Sequence, residues 1–323
     1  MRSVRLTVAC LLLLALLSGC SAASETPNAT EPAQPAVPQM PAKIEKFEDG
    51  VPVVNVYVVE TKAVEDMTLE SYLEGVLAGE MKNDWPLEAL KAQAILARTF
   101  ALKFMTEKES KYGGADVSTD IEEAQAYAKD EVNDRVKQAV DETRGLVLSS
   151  GGELPYAWFH AHSGGKTALA KEGLNWKDAE PDYTLVTEGK ENDAAPADAA
   201  EWTATFTADE VIAAAKEAGA TISGLESAEI GQKGESGRAI TLVLSGQEVN
   251  APDFRIAIDS TKMRSTLLTE VKVEDGKLVL SGKGFGHGVG MTQWGAYAMA
   301  DGGAKAEEIV KTYFQNVEVV KMY

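Results

Sequence analysis

Two helical patterns in direct succession, separated by a short break, constrain this chain more than any other feature. They occupy residues 71–104, SYLEGVLAGEMKNDWPLEALKAQAILARTFALKF. Thr68 is placed to cap the first helix, and Leu69, Tyr72, Leu73, Val76 and Leu77 recur at helical spacing on one face. Gly75 and Gly79 weaken this helix, and Gly79 reads as its end. Pro86 suits the first turn of the second helix, which carries Leu87, Leu90, Ala94, Ala97, Ala101 and Phe104 along one stripe. Glu80 sits at the break, with Leu77, Met81 and Trp85 as close sequence neighbours. A carboxylate there is either a solvated capping residue or a desolvated acid. Desolvation raises a carboxyl pKa toward neutrality, which is the property a general acid needs.

Net charge narrows the partners. At −19, the chain would be repelled by nucleic-acid phosphates and by anionic lipid surfaces. Its cysteines, Cys10 and Cys20, both fall in the N-terminal leader, so the remainder has no thiol for a disulfide or a cysteine metal site. Arg2 and Arg5 precede an apolar run over residues 6–17, too short to span a bilayer comfortably, which reads as a secretory signal. The run closes in Leu17-Ser18-Gly19-Cys20, a pattern similar to a bacterial lipobox, so Cys20 is the expected lipidation site and mature N-terminus. Residues 21–48 are rich in Pro and Ala and read as an extended tether. The expected organisation is therefore a signal peptide over 1–20, a linker over 21–48 and one domain over 49–323.

Within that domain, residues 51–59 alternate as a strand and 133–144 form a helix stopped by Gly145. Residues 146–149 and 154–162 read as a hairpin around Ser150-Gly151-Gly152. The acidic, Ala-rich stretch 188–201 reads as a surface insertion. Thr207 with Glu210 forms a capping box, and short β segments dominate 225–281. Helices follow at 291–299 and 306–314, then a strand at 317–320. Helices mixed with antiparallel hairpins give an α+β fold.

Two further stretches carry chemistry. The first is Gly282-Lys283-Gly284-Phe285-Gly286-His287-Gly288-Val289-Gly290-Met291-Thr292-Gln293, whose alternating glycines permit close backbone approach. Its spacing fits neither a dinucleotide fingerprint nor a phosphate loop. The second is residues 156–167, in which His160 and His162 share a strand face ahead of Ser163-Gly164-Gly165-Lys166-Thr167. Three histidines, His160, His162 and His287, leave open a His₃ metal site, although no carboxylate stands out as the outer partner such ligands usually have.

Together these stretches resemble the SpoIID/LytB family of bacterial wall proteins. The resemblance rests on Gly79-Glu80-Met81, Ala92-Gln93-Ala94 through Ala97-Arg98-Thr99, the Ser-Gly-Gly-x-Thr loop and, most specifically, Gly286-His287-Gly288-Val289-Gly290-Met291-x-Gln293. It implies a peptidoglycan lytic transglycosylase acting on peptide-denuded glycan strands, with Glu80 as catalytic acid. It further implies Arg98, Gln125, Tyr127, His160, Ser163, His287 and Gln293 as sugar-binding candidates, and a wall amidase as partner. No cofactor is implied. Some family members carry a zinc-binding Cys/His cluster just before a Gln-x-Tyr segment, but here Ser118, Glu123 and Ala124 precede Gln125-Ala126-Tyr127, so no metal is expected. The setting implied is the outer face of the cytoplasmic membrane, held through lipidated Cys20. Two other classes stay open: a non-catalytic amidase enhancer that binds the wall, and a His-metal wall hydrolase.

Overall fold

The computed structural model describes residues 35–323, which form one compact unit. The leader, Cys20 and the first half of the expected linker lie outside the described residues. From Ala36 the proline-rich segment is docked on the domain. Ser149 Oγ donates to the Ala36 carbonyl at 2.6 Å, and Pro38, Pro41 and Ile44 are buried. The docked body thus begins before residue 49.

In chain order, β1 (Lys46–Glu48), β2 (Val51–Val58) and β3 (Ala63–Thr68) form an antiparallel meander, followed by α1 (Leu69–Glu80) and α2 (Leu87–Glu107). Next come β4 (Val117–Ser118), α3 (Asp134–Glu142), β5 (Leu146–Ser149), β6 (Phe159–His160), and the short helices α4 (Ala170–Leu174) and α5 (Ala197–Ala200). Then follow β7 (Glu201–Thr207), α6 (Ala208–Glu217), β8 (Ala228–Ile230), β9 (Thr241–Leu244), β10 (Gln247–Asn250) and α7 (Ala251–Asp259). The chain finishes with β11 (Leu268–Glu274), β12 (Lys277–Lys283), β13 (Met291–Thr292), α8 (Gln293–Asp301), α9 (Ala306–Tyr313) and β14 (Glu318–Lys321). Helices packed with small, mainly antiparallel sheets make this an α+β fold.

Two hydrophobic clusters organise it. The larger surrounds α2, which is buried on nearly every side, from Ala89 and Leu90 to Phe104 and Met105. Such all-round burial explains why the α2 stripe continues past the single face read from its spacing. Leu69, Tyr72, Leu73, Val76 and Leu77 of α1 fill the same core. The second cluster lies between α6, α7 and the sheets β7–β12–β11 and β8–β9–β10.

Several local signals act as their chemistry requires. Thr68 Oγ1 accepts from Ser71 N–H at 3.2 Å, Asn133 Oδ1 caps α3 through Val136 N–H at 3.0 Å, and Thr207 with Glu210 closes a full capping box on α6. Elsewhere pairing overrides local sequence. Residues 146–162 do not form a hairpin ladder: β5 pairs antiparallel with β14, and β6 pairs parallel with β13. The turn at Ser150–Gly152 is closed by a single bridge, Ser150 to Glu153. The stretch read as short strands also contains α7, started by Asn250, whose Oδ1 accepts from Asp253 N–H at 3.0 Å.

Candidate active site

Glu80 is the last residue of α1. Gly79 does not end the helix; Met81 caps it in extended conformation, with its N–H on the Leu77 carbonyl at 3.2 Å. The two glycines serve a different purpose. Residues 125–128 run against α1 over the glycine face. A Cβ on Gly75 would stand 2.2 Å from the Tyr127 ring, and one on Gly79 would stand 2.7 Å from Tyr127 N. Ala128 N–H bonds the Gly75 carbonyl at 2.9 Å, which leaves Ala126 N–H aimed at Glu80 Oε1 at 2.8 Å. Glycine therefore buys the approach that lets a main-chain donor reach the carboxyl.

Desolvation pushes the Glu80 carboxyl up from the usual 4.5 to about 7, although the Ala126 N–H and the Gln293 amide pull it down. The carbonyls ending α1 act in the same direction as desolvation, since they disfavour a negative charge. Gln293, the first residue of α8, donates its amide to the Glu80 main-chain carbonyl at 3.0 Å and so satisfies a group that a helix end leaves free. Beyond Glu80, buried Trp85 packs on Trp294 at 4.5 Å and on Tyr297 at 5.1 Å, fixing the connection to α2. Glu80 itself keeps partial exposure, so its proton can be reached.

Neighbouring acids behave otherwise. Asp120 is paired with Lys111 at 2.8 Å and accepts from Tyr112 Oη, and these bonds hold it at about 2. Glu88 is also lowered. Burial pushes it up, but the Ala306 N–H at 2.9 Å, Lys91 and Lys305 outweigh that. Neither is held protonated near neutrality.

The sequence-derived candidates divide in space. Gln293 reaches Glu80 with its side chain, and the segment holding Gln125 and Tyr127 reaches it through Ala126 N–H. Gln125 is buried, its amide on the Ala97 carbonyl at 3.4 Å. Tyr127 is half-buried, and cavities of about 420 and 490 Å³ meet at it, sharing Glu65, Met67 and Lys129 as walls. Arg98 is set apart. It is 0% exposed and forms a two-pronged ion pair with Glu70, at 3.1 and 2.6 Å, near the opposite end of α1. Ten helical residues separate Glu70 from Glu80, roughly 15 Å along the axis. Arg98 is thus an internal strut, because its guanidinium is already spent on Glu70 and on the Leu146 carbonyl at 3.0 Å.

His160, Ser163 and His287 belong to a second layer. The glycine-rich stretch is laced onto residues 158–168: Met291 N–H bonds the Trp158 carbonyl at 3.1 Å, and His162 exchanges bonds with Phe285 at 3.0 and 2.8 Å. Gly288 and Gly290 have φ of 85° and 71°, and a Cβ on them would strike Arg238 at 2.4 Å and the Trp158 carbonyl at 2.1 Å. These glycines admit protein neighbours. His160 is buried, its Nδ1 near the Val289 carbonyl at 3.2 Å, and burial with nearby His287 and Arg238 keeps it neutral. His287 retains some exposure, yet desolvation and the Arg255 charge push it down to about 3. Its Nδ1 accepts from Val289 N–H at 3.0 Å. Ser163 is fully buried, its Oγ accepting from Gly165 N–H at 3.0 Å and its carbonyl from Arg238 at 2.5 Å.

The three histidines do not converge as a ligand set. Among the described residues no group of three or more His, Cys, Asp or Glu side chains could hold a metal ion. Where the zinc cluster of some relatives would stand, Glu123 ties down Ser110 Oγ at 2.9 Å and Lys111 N–H at 2.6 Å, and Ser118 is buried in β4. These donors do not fit zinc.

Glu191 escaped the sequence reading. The stretch taken as a surface insertion turns inward there, and its carboxylate accepts from Ser163 N–H at 2.6 Å and Thr292 Oγ1 at 2.8 Å, with His162 Nδ1 at 3.9 Å. An acidic, Ala-rich composition gives no sign of this. The Gly189 two residues earlier is the sole local cue, since a Cβ there would lie 2.1 Å from Ser163 Oγ.

A family model described as stage II sporulation protein matches residues 57–149, which hold both helices and Glu80. Stage II sporulation protein D of Bacillus amyloliquefaciens is 30% identical over 82% of this chain and 78% of its own length. This chain belongs to the SpoIID family. An uncharacterized protein of Brachyspira hyodysenteriae is 32% identical over 80% of this chain and 68% of its own length. An amidase enhancer of Bacillus subtilis strain 168 is 28% identical over 75% of this SpoIID chain but only 39% of its own length. A second family model, for a domain of unknown function, matches residues 151–290, which include the Ser163 turn and most of the glycine-rich stretch.

Proposed function

We propose that this SpoIID-family chain acts on the bacterial cell wall as a peptidoglycan lytic transglycosylase. The observation that carries the proposal is Glu80, a partly accessible carboxyl raised to about 7 with main-chain and amide contacts only. A group poised there serves as acid and then as base. Protonated Glu80 gives its proton to the oxygen linking N-acetylmuramic acid to N-acetylglucosamine. The C1–O bond breaks and leaves an oxocarbenium. The Glu80 carboxylate next removes the proton of the muramoyl C6 hydroxyl, whose oxygen closes on C1 as the 1,6-anhydro sugar. Ordinary glycosidases use a second carboxylate; the intramolecular hydroxyl makes one unnecessary here. Ala126 N–H and Gln293 contact Glu80 directly, and Tyr127, on the same segment as Ala126, borders two cavities on the neighbouring face of α1.

The experiment is mass spectrometry of denuded glycan digested by the full-length protein. Anhydro-muramic ends are expected, and reducing muramic ends would instead mark a two-carboxylate hydrolase. Because the reactive enzyme holds Glu80 protonated, kcat/KM is expected to fall as pH rises through about 7. A rate that stays flat from pH 6 to 8 would remove Glu80 from the role.

The relative named amidase enhancer favours a second reading, in which the chain binds glycan and stimulates a wall amidase without cutting. A wild type that never yields cleaved glycan, paired with amidase stimulation that survives Glu80→Gln, would select it. We further propose that lipidated Cys20 anchors the protein on the outer face of the cytoplasmic membrane; a membrane-extracted chain lacking acyl mass would refute the anchor.

A further inference from the structure

Thr292 occupies the N-cap of α8 but makes no capping bond. A threonine there ordinarily accepts from the first helical N–H groups, a bond worth about 1 kcal/mol. Here its hydroxyl donates to Glu191 Oε1 at 2.8 Å instead. The same oxygen accepts Ser163 N–H at 2.6 Å. Burial pushes the Glu191 carboxyl up, and the bonds from Ser163 and Thr292 with nearby His162 more than offset that, so it stays ionised. Its segment is fixed independently. Gly189 N–H bonds the Gly165 carbonyl at 3.0 Å, Tyr313 Oη donates to the Gly189 carbonyl at 2.7 Å, and a Cβ on Gly295 of α8 would lie 2.0 Å from that carbonyl. One residue beyond Thr292, Gln293 reaches Glu80.

We propose that Glu191 is a positioning residue of the active site: it holds Thr292, and through it Gln293, in the placement that meets Glu80, and ties the Ser163 turn to the same point. The proposal rests on Glu80 being the acid and base. Glu191 has no part in proton transfer. The bonds from Ser163 N–H and Thr292 Oγ1 both use Oε1, so the carbonyl of a glutamine can replace them, whereas alanine cannot.

The test compares Glu191→Ala with Glu191→Gln in the full-length protein. Glu191→Ala is expected to lower kcat about ten- to a hundredfold, the scale of a displaced catalytic group. It should also raise the pKa of Glu80, because the Gln293 amide, held beside the carboxyl by its bond to the Glu80 main-chain carbonyl and lowering its pKa from there, is displaced. Glu191→Gln should restore most of the rate and the wild-type titration. Carbon-13 NMR titration of labelled glutamate carboxyls, with the Glu80 signal assigned by its loss in Glu80→Gln, reads the pKa without any turnover. It therefore decides the matter even if the chain proves not to cut glycan. A Glu191→Gln as inactive as the alanine variant overturns the proposal and makes Glu191 a second catalytic carboxylate. An unchanged Glu80 titration in Glu191→Ala also overturns it. Should that variant fail to fold, Thr292→Val removes only the hydroxyl and must raise the Glu80 pKa in the same sense; no shift there is equally fatal.

Discussion

Glu80→Gln is expected to abolish glycan cleavage while the protein remains folded. Glutamine preserves the shape and can still accept Ala126 N–H, but it has no proton to give. General acid–base catalysis contributes roughly a hundred- to ten-thousand-fold, so the loss should be plain in an assay of released anhydro-muropeptides. The same change should alter stability in a pH-dependent way. The wild-type carboxyl has a folded pKa of about 7 against 4.5 when unfolded, so the folded form binds the proton more tightly. Its favourable contribution is complete below 4.5 and is lost as pH rises through about 7. Glutamine is neutral throughout. Glu80→Gln should therefore melt higher than wild type at pH 8, with the difference shrinking toward pH 5. A lower melting point at pH 8 would show that Glu80 is not a strained, desolvated acid. Sites that hold a group against its preference commonly trade stability for activity in this way.

The second large effect concerns Arg98. Arg98→Met removes the cation from a buried pair and strands Glu70, which also accepts Gly145 N–H at 3.1 Å and Tyr323 Oη at 2.6 Å. Breaking one side of such a pair costs about 3–5 kcal/mol, whereas neutralising both sides costs far less. Urea denaturation should show that loss for Arg98→Met and substantial recovery in Arg98→Met/Glu70→Gln, where a neutral acceptor remains for Gly145 and Tyr323. Glycan affinity of the folded fraction should be unchanged. An Arg98→Met protein of wild-type stability that no longer binds glycan would return Arg98 to the substrate.

What could be read from the sequence followed distance along the chain. The α1–α2 pair was legible because caps, apolar spacing and Pro86 all act within a few residues. The purpose of Gly75 and Gly79 is not visible locally, because the Ala126 N–H whose approach they permit lies 46 residues after Glu80. The β5–β6 region looked like a hairpin because each strand was apolar and a double glycine lay between them; their true partners, β14 and β13, come from the far end of the chain. Arg98 carried the family motif but no local mark of burial, and its partner Glu70 stands 28 residues away. Glu191 was hidden because its segment has the composition of solvated loops, and only Thr292 and Ser163 reveal its role.

The bond from Gln293 to Glu80 joins groups 213 residues apart. At roughly 5–20 residues per second, the ribosome delivers Gln293 on the order of 10–40 s after Glu80. Contacts of such long range form late, after loop closure has been offset by other packing. Until then the Glu80 main-chain carbonyl lacks the Gln293 amide, and Trp85 lacks its Trp294 and Tyr297 neighbours. The helix pair can form early, but the surroundings of Glu80 are completed only when the last part of the chain packs against it.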